Sequence, residues 1–110
     1  MSTQALIDRH CKALASGTPA LNSQQVSELL SSLEGWGLKG KEIVRTFSFT
    51  DFYETVAFVN AVAYIANRED HHPDMEVGYN KCTVRFSTHS VGGLSENDFI
   101  CAAKVDALLR

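Results

Sequence analysis

A two-layer α+β fold, with a four-stranded antiparallel sheet and helices packed on one face, is predicted by three features of this sequence. Two pairs of short runs alternate apolar and polar residues, and each pair is broken by turn residues. Between the pairs runs a long apolar-rich segment at helical spacing, from Phe52 to about Arg68. Capping residues open further helices before the first pair and after the second. The order is a ββαββα core preceded by N-terminal helices. Strands joined by tight turns pair antiparallel, and the helices between them cover one face of the sheet and leave the other free.

Taken in chain order, residues from about Gln4 to Leu14 carry apolar side chains at roughly helical spacing, and Ser16-Gly17-Thr18-Pro19 ends that helix. Asn22-Ser23 supply N-cap side chains for a short helix with Val26, Leu29, Leu30 and Leu33. Gly35-Trp36-Gly37-Leu38 and the run from Lys41 to Phe49 flank the turn Lys39-Gly40. In the second run Ile43, Arg45, Phe47 and Phe49 share one face, which predicts a hairpin. Asp51 with Glu54 three residues later opens the central helix in the manner of a capping box. Phe52, Val56, Val59, Ala63 and Ala66 form one stripe on it, and Phe58, Val62 and Ile65 a second. A helix apolar on two sides is buried on both, so the second stripe is predicted to meet a partner subunit.

The last two strands follow. Met75, Val77 and Tyr79 alternate with Asp74, Glu76 and Gly78, as Cys82, Val84 and Phe86 do with Thr83, Arg85 and Ser87. With Asn80-Lys81 as a two-residue loop, Tyr79 pairs with Cys82, Val77 with Val84, Met75 with Phe86 and Glu76 with Arg85. Gly92-Gly93 breaks the chain, and Ser95 with Asp98 caps a final helix carrying Phe99, Ala103 and Leu109.

At 110 residues the chain is long enough for one core, and residues 1–110 are read as a single domain. A net charge of −3 offers no basic field for a phosphate backbone, which argues against a nucleic-acid partner. Cys11, Cys82 and Cys101 are an odd count without a CxxC pair, and they read as reduced thiols. The start lacks the basic and apolar regions of a signal peptide, and the apolar run from Phe52 to Ala66 is too short to span a bilayer. A cytoplasmic protein with no membrane partner is the expectation.

The chemistry concentrates in histidine, the side chain that gives and takes protons near neutral pH. Asp70-His71-His72-Pro73 holds two of the four histidines. The proposed hairpin register, carried on, sets His72 opposite His89. His71 has the other parity, but it sits where the central helix ends and irregular backbone can turn it toward the same pocket. Asp70 is the candidate for orienting one imidazole, and Ser87, Thr88 and Ser90 add hydroxyls around His89. His10 reads as a surface residue and Trp36 as core. A zinc or iron site is the rival reading, but adjacent histidines chelate one ion poorly and neither HxH nor HxxxH spacing occurs. Cys82 has apolar-face parity, so a buried thiol is expected there rather than a nucleophile.

Asp70-His71-His72-Pro73, the aromatic Tyr79, Ser87-Thr88-His89, and Asp98 within Leu94-Ser95-Glu96-Asn97-Asp98 together resemble the signature of the pterin-4a-carbinolamine dehydratases, also known as dimerization cofactors of the hepatocyte nuclear factor. The chain departs at Asn67, where that family usually has an acidic residue or a histidine. The resemblance implies dehydration of a 4a-hydroxytetrahydropterin to quinonoid dihydropterin, within tetrahydropterin recycling for aromatic amino acid hydroxylases. It implies His71, His72 and His89 as the catalytic set, with His71 and His89 moving protons and His72 orienting the pterin. Asp70, Ser87, Thr88 and Ser90 would join them in the substrate pocket. No cofactor and no metal are implied, since the pterin is the substrate. A homodimer or homotetramer, and a functional link to phenylalanine hydroxylase, are the partners it suggests. The alternative it carries is a protein-binding module of the same fold, a transcriptional coactivator or hydroxylase regulator.

Overall fold

The computed structural model of the chain describes residues 2–110. Helices α1 (Thr3–Ile7) and α2 (Ser23–Leu30) precede strands β1 (Gly37–Lys39) and β2 (Glu42–Ser48). The long helix α3 (Phe52–Glu69), strands β3 (Asp74–Val77) and β4 (Lys81–Phe86), a single 3-10 turn (His89–Val91) and helix α4 (Glu96–Ala107) follow. All strand pairs are antiparallel, in the order β1-β2-β4-β3. The predicted α+β class and element order are those observed.

The helices begin where the side chains allow it. Asn22 accepts from the Gln25 amide at 2.9 Å while the Gln25 side chain accepts from the Asn22 amide at 2.9 Å, so two otherwise orphaned donors at the start of α2 are satisfied. Asp51 accepts from the Glu54 amide at 3.0 Å, and Glu54 reaches back to the Thr50 amide at 2.8 Å. On α3 the buried face is Thr55, Phe58, Val62 and Ala66, a single stripe at helical spacing. Phe52 is half exposed instead, and Val56, Val59, Ala63 and Ile65 are partly covered. Helix α4 is the hub. Every residue from Asn97 to Ala103 is buried, because α1, α2 and α3 all pack on it above the sheet residues Ile43, Phe47, Val84 and Phe86. Each such fully buried apolar side chain contributes roughly 1.5–3 kcal/mol.

Three expectations are corrected. The first helix is only five residues long rather than running to Leu14. Beyond it, the Cys11 amide donates to Glu69 and the Lys12 amide to Asn97, and these tertiary bonds take the place of intrahelical ones. The first hairpin turns at Gly40-Lys41, one residue later than expected, with Lys39 paired to Glu42 and Gly40 at a φ of +62°. In the second hairpin the loop is Tyr79-Asn80, closed by the Gly78 amide on the Lys81 carbonyl at 2.8 Å. Val77 therefore faces Cys82, Met75 faces Val84, and Arg85 lies opposite Asp74 rather than Glu76. A turn moved by one residue shifts every pair by two and preserves which face each side chain takes. The cause is tertiary: the buried Thr55 hydroxyl is shared between the Asp51 carbonyl at 2.8 Å and the Tyr79 carbonyl at 3.0 Å, and the Asn80 carbonyl accepts from the Phe49 amide at 2.8 Å. Strand β3 is also an edge strand, so Val77 and Tyr79 are exposed despite their apolar parity, and Leu109 beyond α4 is exposed as well.

Candidate functional site

The site forms where the end of α3 meets the start of α4. Asp70 ends α3 in a left-handed conformation, φ 51° and ψ 43°, so the Asp70 and His71 amides both reach the Ala66 carbonyl. That reversal turns His71 back over the core, where its ring lies parallel to Phe86, 6.0 Å between centroids. Its side chain is 12% exposed, and Nε2 stands 2.6 Å from Oδ1 of Asp98, which is fully buried.

A buried carboxylate survives when every oxygen is hydrogen-bonded. Oδ2 of Asp98 accepts from the Thr88 hydroxyl at 2.8 Å and from the Ser95 amide at 2.9 Å. Thr88 has one hydroxyl hydrogen and spends it on Asp98, so the Ser95 hydroxyl, 2.7 Å away, donates to Thr88. Donation runs from Ser95 to Thr88 to Asp98 on one side and from His71 to Asp98 on the other, so both arms converge on the carboxylate. Asp98 as acceptor places the His71 proton on Nε2 in the neutral ring and leaves Nδ1 its lone pair.

The other two histidines are exposed, His72 next in the chain to His71 and His89 next to Thr88. Nε2 of His72 lies 3.1 Å from Oδ1 of Asn67, so the residue that departs from the family pattern fixes the ring of His72 through its amide oxygen. His89 opens the 3-10 turn directly after Thr88. That loop is pinched by the Thr88 amide on the Gly93 carbonyl at 2.7 Å and closed by Gly92 at a φ of +67°. His89 is thus carried by a residue already fastened to Asp98. Ser87 is partly buried and Ser90 exposed on the same stretch.

The structure brings His71 together with Asp98, which Thr88 also bonds, and leaves His72 and His89 exposed, each next in the chain to a member of that group. It does not place His72 opposite His89 by strand pairing. The strands stop at Asp74 and Phe86, and the observed register carried further would set His72 against Ser87. The carboxylate that orients His71 is Asp98, not Asp70, whose part is the left-handed turn that aims the histidine. In the sequence Asp98 reads as a helix cap, and it is one, through Oδ2. The same group turns Oδ1 to the histidine, a role that spacing alone does not reveal. Among the described residues no three His, Cys, Asp or Glu side chains converge as a metal-holding group.

A strap of residues 10–12 braces the site from behind. Glu69, next but one to His71, accepts from the Cys11 amide at 2.7 Å and lies 2.9 Å from Nδ1 of His10. Asn97, next to Asp98, accepts from the Lys12 amide at 3.0 Å and donates to the Lys12 carbonyl at 2.8 Å. Burial pushes the Glu69 carboxyl up, but the Cys11 amide, His10 and Lys104 together hold it below the usual glutamate range.

Known proteins resemble this chain over most of its length. The family model described as pterin 4 alpha carbinolamine dehydratase matches residues 19–108, which include all the site residues above. A Nitrosomonas eutropha protein, provisionally named a pterin-4-alpha-carbinolamine dehydratase, is 59% identical over 94% of this chain and 93% of its own. A Legionella pneumophila protein with the same provisional name is 54% identical over 97% of both chains. Among solved structures, a transcriptional coactivator/pterin dehydratase from Brucella melitensis superposes with a TM-score of 0.77 at 35% identity, covering 81% of this chain and 97% of that one. A pterin dehydratase-like protein identified as a RuBisCO assembly factor in the alpha-carboxysome superposes at 0.59 with 27% identity, over 68% of this chain and 89% of its own.

Proposed function

The chain belongs to the pterin 4 alpha carbinolamine dehydratase family, and from that premise we propose that it dehydrates a 4a-hydroxytetrahydropterin to quinonoid dihydropterin by histidine acid-base catalysis. The observation that carries the reading is the buried Asp98 at 2.6 Å from a histidine whose other nitrogen is left for chemistry. Loss of water from the 4a carbon needs a proton delivered to the departing hydroxyl and a proton taken from the neighbouring ring nitrogen as the carbon-nitrogen double bond forms. His71, held by Asp98, and the exposed His89, next in the chain to Thr88, are the two groups assigned to those transfers. Each such transfer is worth roughly 100- to 10,000-fold in rate. His72, steadied by Asn67, orients the pterin, and Asp70, Ser87, Thr88 and Ser90 line its edge. The reaction returns the pterin toward its reduced form after an aromatic amino acid hydroxylase has used it.

A second reading, a protein-binding role, is favoured by one observation. Tyr53, Tyr64 and Phe52 on the outer side of α3 are 88%, 62% and 49% exposed, a surface suited to a second copy of the chain or to another protein. A pterin dehydratase-like protein that superposes on this chain serves as a RuBisCO assembly factor. Stopped-flow absorbance with freshly generated 4a-hydroxytetrahydropterin separates the two. Acceleration that survives a metal chelator and is lost in His71→Ala supports the dehydratase. No acceleration by the folded protein overturns it and leaves the binding role.

A further inference from the structure

Two of the three thiols meet. Sγ of Cys11 lies 3.4 Å from Sγ of Cys101, although the residues are 90 apart in sequence. Cys11 belongs to the strap and is partly exposed, whereas Cys101 is buried on α4. The Cys11 thiol points at the Asn97 carbonyl at 3.5 Å, so its hydrogen is directed there and the Cys101 thiol donates to the Cys11 sulfur. The backbone of Cys11 is fixed at the same time by Glu69 at 2.7 Å, and that of Lys12 by both ends of the Asn97 amide. Both sulfurs are therefore held in contact by a hydrogen-bonded frame, with one of the pair reachable from solvent.

We infer that Cys11 and Cys101 are a peroxide-responsive dithiol, which closes to a disulfide that ties the N-terminal strap to α4. Cys11 attacks hydrogen peroxide, its sulfur takes one oxygen to become a sulfenic acid, and one water leaves. Cys101 then attacks that sulfur. The S–O bond breaks as the S–S bond forms, and the departing hydroxide takes the Cys101 proton away as a second water. Two thiols are oxidised and one peroxide is reduced. The sulfurs need to close only from 3.4 Å to about 2.05 Å. The order of events follows from the surroundings. The partly exposed Cys11 meets the oxidant first, and the buried Cys101, already in contact with its sulfur, follows. Cys82, fully buried on β4, takes no part.

The test is peroxide treatment of the full chain, followed by intact mass and thiol titration in denaturant. The expected result is a loss of about 2 Da, a fall from three titratable thiols to one, and reversal by dithiothreitol. The melting temperature of the oxidised form should rise by roughly 10 °C, since a long loop is closed in the unfolded chain. Cys11→Ser, which alters only a partly exposed position, should keep both remaining thiols at the same dose. Cys101→Ser should trap a sulfenic acid on Cys11 that reacts with dimedone. Oxygen adducts on Cys11 with Cys101 still free, disulfide-linked dimers through Cys11, or loss of two thiols in Cys11→Ser would each overturn the inference.

Discussion

Helix α4 carries a nearly buried carboxylate at each end, and the two do different work. Asp98 at its start meets the His71 imidazole, the Thr88 hydroxyl and the Ser95 amide. Asp106 at its end accepts from the indole of Trp36 at 2.9 and 3.0 Å and from Arg45 at 2.9 Å. Indole and guanidinium do not exchange protons near neutral pH, so Asp106 ties β2 and the Trp36 loop to the helix and nothing more. An imidazole does exchange protons, and Asp98 sets which nitrogen holds one. The lesson is that burial of a carboxylate is common to both ends, and the partner's chemistry separates a brace from a site.

The largest expected effect tests the imidazole directly. His71→Ala and His89→Ala should each lower kcat for dehydration by roughly 100- to 10,000-fold, with pterin binding by equilibrium titration much less affected. Full activity in both variants would end the mechanism. Exchanging the two carboxylates for amides gives the cleaner contrast. Asp98→Asn should lower kcat by up to roughly 10,000-fold, since the group that sets the tautomer of the imidazole is lost. Asp106→Asn should instead cost about 1–3 kcal/mol of stability in denaturant unfolding, with activity per folded molecule unchanged. The reverse outcome would break the comparison.

Acid unfolding sharpens it further. Asp106 is raised above its ordinary value of 3.8, because burial outweighs the pull of Trp36 and Arg45. Its folded form therefore binds the proton more tightly than the unfolded chain, and its contribution rises as pH falls through the raised value toward 3.8. Glu69 is held below its ordinary 4.5 and works in the opposite sense. Its stabilising contribution is complete above pH 4.5 and is lost as pH falls below it. Chemical denaturation measured across that window should give a flatter acid limb in Glu69→Gln and a steeper one in Asp106→Asn. The smallest effect is expected at the paired surface residues Glu76 and Arg85, where Glu76 is mostly exposed. Glu76→Gln should leave the melting temperature unchanged within measurement.

Periodicity and caps made most of the fold readable in advance. Asn22, Asp51 and Ser95 mark the starts of α2, α3 and α4, and alternation assigns faces in β2 and β4 correctly. These are local signals, each carried by side chains within four residues of one another. The length of α1 and the exact turn of the second hairpin were not local. The first was decided by Glu69 and Asn97 pulling the strap out of helix, the second by Thr55 and Phe49 claiming the turn carbonyls.

The same division runs through the site. The sequence by itself determined that histidines flank a helix end and a loop, and that their pattern is the family's. Only the tertiary structure decided that His71 answers to Asp98 rather than to its neighbour Asp70, and that Asn67 holds His72. The reason is physical: a left-handed residue reverses the chain after α3, so the carboxylate nearest in sequence serves the turn, while one 27 residues away completes the pair.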